Sequence, residues 1–60
     1  MSNNQLLSVQ TVAEVLSVSR WTVYRLIWDG ELRSVQVGRC RRVPQAALDE
    51  YLGALLEEAA

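Results

Sequence analysis

Apolar residues recur along this chain with two different periods, and the changes of period mark the elements. Val9, Val12, Ala13, Val15 and Leu16 stand at the three- and four-residue spacing of one helix face. Ser8 precedes them, its hydroxyl able to accept from a free amide two or three residues on, so a first helix is expected over Val9 to Leu16. Ser17-Val18-Ser19 then packs two hydroxyl residues that compete for backbone hydrogen bonds, and Ser19 is a second N-cap. The next helix starts at Arg20, with Val23, Leu26 and Ile27 as its buried stripe and Gly30 closing it in the left-handed conformation that a helix C-terminus commonly needs. From Ser34 the period becomes two, with Val35 and Val37 on one strand face and Gln36 on the other. Gly38-Arg39-Cys40 reads as a hairpin turn and Arg41 to Val43 as the returning strand, ended by Pro44, which cannot donate to a ladder. A lone hairpin is marginal, so Val35, Val37 and Val43 are expected to pack on helices. Pro44 also suits the first turn of a last helix, whose stripe is Leu48, Tyr51, Leu52, Leu55 and Leu56 over Gln45 to Glu58, interrupted by Gly53.

The expected order is helix, helix, hairpin, helix: mainly α with a small β-hairpin. Two short helices joined by a tight turn, each with one apolar face, make a helix-turn-helix. Ala13 is small where the helices cross, while Leu16 and Val18 bracket the turn. Ser17 stands where many such turns carry glycine, so it must accept positive φ or the turn must adjust. Residues 1–6 are expected to form a flexible tail and residues 7–58 the domain.

Composition narrows the chemistry. Sixty residues make at most one domain with a thin stability margin. Neither common staple is on offer, because Cys40 is the single cysteine and there is no histidine to help ligate zinc. Cys40 reads as an incidental thiol with no resolving partner. No metal, cofactor or catalytic residue is expected, since histidine and lysine are absent and no paired carboxylates flank a plausible cleft. No apolar run reaches membrane-spanning length and the polar start, Met1 to Gln5, is unlike a signal peptide, so no membrane partner and a cytoplasmic location are expected.

The formal net charge of −1 looks wrong for a nucleic-acid ligand, but it averages two unlike halves. All six basic residues are arginines before Pro44, opposed there by Glu14, Asp29 and Glu31, a surplus of +3. Asp49, Glu50, Glu57 and Glu58 follow with no base among them, −4. A bound phosphate feels the charges within about a Debye length, so the basic body is the relevant object.

The stretch L-L-S-V-Q-T-V-A-E-V-L-S-V-S-R-W-T-V-Y-R-L-I-W-D-G-E-L, followed by S-V-Q-V-G-R-C-R-R-V-P-Q-A-A-L-D-E-Y-L, resembles the excisionase-type winged helix-turn-helix family, related to the MerR-type DNA-binding domains. The resemblance runs from Leu7 to Leu52, and V-S-R-W-T-V-Y-R-L-I with V-G-R and R-V-P are its distinctive parts. It implies a wing that meets the minor groove or flanking backbone. It further implies a phage excisionase, or recombination directionality factor, that binds beside an attachment site, often cooperatively, bends or coats the DNA, and biases an integrase towards excision. Arg41 stands where the family often has an aromatic, and Cys40 where it often has a polar or basic residue.

The expected contacts to double-stranded DNA are therefore Ser19, Arg20, Trp21, Thr22, Tyr24 and Arg25 from the second helix, and Arg39, Arg41 and Arg42 from the wing. Their plain alternatives are a solvated helix face and a charged edge strand that discourages aggregation. Trp28 is expected in the core, packed under the hairpin. The basic wing and acidic last helix suggest head-to-tail self-association on DNA, since one small module offers few base contacts. Two other functions fit less well. A transcriptional regulator would use the same fold but ordinarily adds a dimerisation or effector domain. A protein-interaction module without DNA binding would tolerate Arg25→Ala.

Overall fold

The computed structural model describes residues 5–59, arranged as β1 (Leu6–Ser8), α1 (Val9–Leu16), α2 (Arg20–Trp28), β2 (Val35–Val37), β3 (Cys40–Pro44) and α3 (Gln45–Ala59). Both helix starts follow from their caps. The Ser8 hydroxyl accepts from the Thr11 amide at 3.1 Å and that of Ser19 from the Thr22 amide at 3.2 Å, each cap holding an extended backbone. The turn between the helices is made at Ser17, which takes φ 60° and ψ 43°, the left-handed conformation its position demanded. That geometry lets the Ser17 and Val18 amides donate to the carbonyls of Glu14 and Ala13 at 3.3 and 3.0 Å. Gly30, at φ 79°, ends α2 as expected and turns the chain so that Leu32 drops into the core.

The sheet has three strands in the order β1-β3-β2, all antiparallel, and so exceeds the expected hairpin. Leu6, Leu7 and Ser8 pair with Pro44, Val43 and Arg42, and the Gln45 amide donates to the Gln5 carbonyl at 2.8 Å. The inner end of the expected tail is thereby corrected: Gln5 and Leu6 are tied to β3, while residues 1–4 lie outside the described residues. This ladder also explains how proline sits in a central strand. Hydrogen-bonded and non-bonded pairs alternate, and the Gln5–Gln45 bond places Leu6 and Pro44 at a non-bonded pair, where a missing N–H costs nothing.

On the other side Val35, Gln36 and Val37 pair with Arg42, Arg41 and Cys40. Cys40 thus belongs to the strand, and the loop is the two residues Gly38 and Arg39, with Gly38 at φ 61° in the first central position, as a type II′ turn requires. The register corrects one packing expectation. Val43 is fully buried, so its neighbour Arg42 points away from the core, and Val35, directly opposite Arg42, points away with it. Val35 and Val37 are exposed, and of the three valines only Val43 packs inside.

The core gathers Val9, Val12 and Ala13 of α1, Val23 of α2, Leu32, Val43 of β3, and Ala47 and Leu48 of α3. Leu7, Leu16, Leu26, Ile27, Tyr51 and Leu52 pack around it half-buried. Leu55 and Leu56, the last part of the α3 stripe, extend past this core and are exposed. No helix of the described residues is long and apolar enough to cross a membrane.

Candidate nucleic-acid interface

α2 packs on α1 and reaches the core through Val23, which is 0% exposed, and this fixes which residues lie opposite it. At roughly 100° per residue, Trp21, Arg25 and Trp28 share the outward arc, with Tyr24 and Thr22 on its flanks and Arg20 nearer the buried side. The Ser19 and Thr22 hydroxyls are hydrogen-bonded to each other at 3.1 Å at the start of the helix, and Thr22 is half-buried. Arg20 and Arg25 are exposed. The Arg25 guanidinium carbon lies 5.7 Å from the centre of the Trp21 ring, and its Nε is 3.9 Å from Asp29. Both partners of that ion pair are largely in water, so it holds Arg25 only loosely. The indole face and the carboxylate together bias the side chain along the helix surface without burying it.

Trp28 is not in the core. It is 73% exposed, one turn beyond Tyr24, with ring centres 6.3 Å apart and planes tilted by 32°. Leu32 and Leu48 fill the interior that Trp28 was expected to occupy. Spacing alone could have placed it correctly, since Trp28 is seven residues from Trp21 and must share its face.

The wing arginines divide by the alternation of β3. Arg42, half-buried, stands opposite Ser8 on one side and Val35 on the other. Arg39 is exposed at the tip of the turn. Arg41 lies on the face that Arg42 avoids, and its guanidinium donates to the Ser34 hydroxyl at 2.9 Å and to the Gln36 side-chain oxygen at 3.3 Å. Those bonds tie β3 to β2 and to the segment that leads into the wing. Arg41 is therefore a brace, in contrast to Arg39 and Arg42, which form no such bonds among the described residues.

Two separated parts of the sequence meet here. A shallow groove of about 280 Å³ is bounded by Arg20 and Tyr24 of α2, by Arg39 to Arg42 of the wing, and by Ser8, Val9 and Gln10 at the start of α1. It brings Arg20 and Tyr24 together with the three wing arginines, with no carboxylate on its walls, while Ser19, Trp21, Thr22 and Arg25 lie outside it. Sequence reasoning missed the Ser8 to Gln10 wall, because only the pairing of β1 with β3 brings that segment beside Arg42. A larger cleft, about 550 Å³ between the end of α2, β2 and α3, is lined by Arg33, Arg41 and Glu50 together with apolar residues that include Leu32 and Ala47.

A cap-started pair of helices, a left-handed turn between them and a braced wing are the parts of one known module, and the family model described as "Helix-turn-helix domain" matches residues 6–55. The chain belongs to this helix-turn-helix family. It is 38% identical over 58 residues to a protein of Saccharopolyspora erythraea named "Probable excisionase", an alignment covering 97% of this chain and 59% of that one. It is 47% identical over 51 residues to proteins named "Putative DNA-binding protein" in two strains of Mycobacterium tuberculosis, covering 85% of this chain and 65% of theirs. The helix-turn-helix chain thus spans about three-fifths of the length of these relatives. The match and the first of these relatives agree with the excisionase-type resemblance carried by the residues.

Proposed function

We propose that this helix-turn-helix protein is a sequence-specific, non-enzymatic DNA-binding accessory factor of the excisionase type. It binds double-stranded DNA beside a phage attachment site in the bacterial cytoplasm, cooperatively and with bending, and directs an integrase towards excision. The observation that carries the reading is the shared groove: the basic start of α2 and the wing arginines Arg39 and Arg42 border one concave surface without a carboxylate. In this family of folds the second helix enters the major groove and the first crosses the backbone. Arg20, Arg25 and Thr22 then face base edges or phosphates, Ser19 positions the helix start, Trp21 faces the base edges and Tyr24 lies against the groove wall. Arg39 and Arg42 grip the flanking backbone or minor groove, and Arg41 keeps the wing in shape.

The name of the Saccharopolyspora relative supports the excisionase role over that of a general regulator. The charge segregation, with four carboxylates on α3 and the arginine surplus before it, supports head-to-tail contacts between neighbouring copies on DNA. Reconstituted excision with the integrase encoded nearest this gene tests the role. Excision should depend on the protein, and excision proceeding equally well without it rejects the proposal. DNA binding itself is tested by the salt dependence of affinity, whose logarithm should fall with log salt at a slope of about −0.9 per neutralised phosphate.

A further inference from the structure

We infer that the outward face of α2 reads thymine, with Trp21 and Trp28 each seating its indole against a thymine C5-methyl and O4 in the major groove; the inference rests on the DNA-binding reading above. The outermost arc of this nine-residue helix carries two indoles beside Arg25: Trp21 is 62% exposed and Trp28 73%, on the side opposite the buried Val23, with Tyr24, 38% exposed, at the edge of the arc. Whatever α2 is pressed into meets the two indoles and Arg25 before it meets Tyr24 and Thr22 on the flanks or Arg20 beyond them.

The chemistry of an indole selects among base edges. Its Nε1–H donates and it has no acceptor, so it cannot answer the amino groups of cytosine N4 or adenine N6. Adenine N7 can accept from the indole, but only thymine offers its acceptor, O4, beside a methyl, the apolar handle of the major groove. An apolar ring edged by a single donor therefore complements thymine and mismatches cytosine on both counts. Guanine, with two acceptors and no methyl, suits a guanidinium fork instead, and Arg25 stands on the same arc stacked near Trp21. The arc thus presents two thymine readers flanking one guanine reader, with Tyr24 packed against Trp28 to steady it.

Replacing thymine by uracil removes only the methyl and leaves O4, so it isolates the contact. The full-length protein is used to select duplexes from a randomised library, and each selected thymine is then changed singly to uracil. At least one position should lose about fourfold in affinity, the equivalent of ~0.8 kcal/mol for one buried methyl-sized group. In W21A or W28A that difference should fall to near one while the slope of log affinity against log salt is kept, and W28F, which restores an apolar ring, should recover part of it. Both tryptophans are largely in solvent, so unchanged melting curves are expected for these variants. Salt-dependent binding with equal affinity for thymine and uracil at every selected position overturns the thymine readout and leaves DNA binding standing. Variants that weaken thymine and uracil duplexes equally overturn it as well. Failure to retain any duplex at low salt removes the DNA-binding reading itself.

Discussion

Ser17 holds the angle between α1 and α2, and its backbone makes it the most informative single position for stability. At φ 60° and ψ 43° it is the one residue other than glycine at positive φ among the described residues. The left-handed conformation costs an L-residue roughly 1–2 kcal/mol because Cβ crowds the following carbonyl. Glycine at Ser17 removes that crowding but brings a freer unfolded chain, which costs roughly 0.5–1 kcal/mol. The Ser17 side chain is exposed, and the two turn-closing bonds to Glu14 and Ala13 come from backbone amides that the substitution keeps. Ser17→Gly should therefore stabilise the protein by about 0.5–1 kcal/mol. For a chain of this size each kcal/mol moves the midpoint by roughly 4–8 °C, so the expected rise is about 2–8 °C. Thermal melting followed by far-ultraviolet circular dichroism reads it, with Ser17→Ala as the control that retains Cβ and should give no rise. A lowered midpoint for the glycine variant, or an equal rise for alanine, would refute the assignment of strain to this turn.

Gly53 sits inside α3 with open space where a Cβ would stand, so Gly53→Ala should add about 0.5–1 kcal/mol of helix stability, measured by the same melt. Leu32 is 1% exposed, and Leu32→Ala should cost about 2–5 kcal/mol, enough to abolish a cooperative transition in a domain with so small a core. Arg42→Ala should weaken DNA binding and make the salt slope shallower by about 0.9, the loss of one phosphate contact. Arg41→Ala should leave that slope unchanged and lower the melting midpoint, because its guanidinium serves Ser34 and Gln36; a slope change equal to that of Arg42→Ala would place Arg41 on the DNA.

What could be read from the sequence was what is decided locally. Ser8, Ser19 and Gly30 act on backbone groups within a few residues of themselves, and all three bound their helices as expected. β1 was hidden because Leu6–Ser8 is too short to show a period and its partner lies at the far end of the hairpin. The faces of β2 were hidden for a related reason. Val-Gln-Val gives alternation but not its sense, which is set by pairing Val35 with Arg42 instead of with a core residue. The candidate site was legible as two lists of residues, one on α2 and one on the wing. The meeting of Arg20 and Tyr24 from the first list with the wing arginines around one groove was not, since the wall they share depends on β1 carrying the start of α1 alongside Arg42.

Trp28 shows why the exposed side of the molecule is better explained by a ligand than by folding. Burying an indole removes about 150–250 Å² from water, worth roughly 4–6 kcal/mol at 25 cal/mol per Å². A domain with eight buried apolar residues has every energetic reason to use its tryptophans inside, yet both stand in solvent while valine, alanine and leucine fill the core. The arginines are left in the same condition. The one ion pair among the described residues is the loose Arg25–Asp29 contact at 3.9 Å, although the sequence carries seven carboxylates. Apolar rings without a core and cations without counter-charges are thus brought together on α2 and the wing. A DNA duplex supplies both missing partners at once, methyl-bearing base edges for the rings and phosphates for the guanidinium groups. An acidic protein surface would answer the arginines, but it would need an apolar cleft of its own between the charges to cover Trp21 and Trp28.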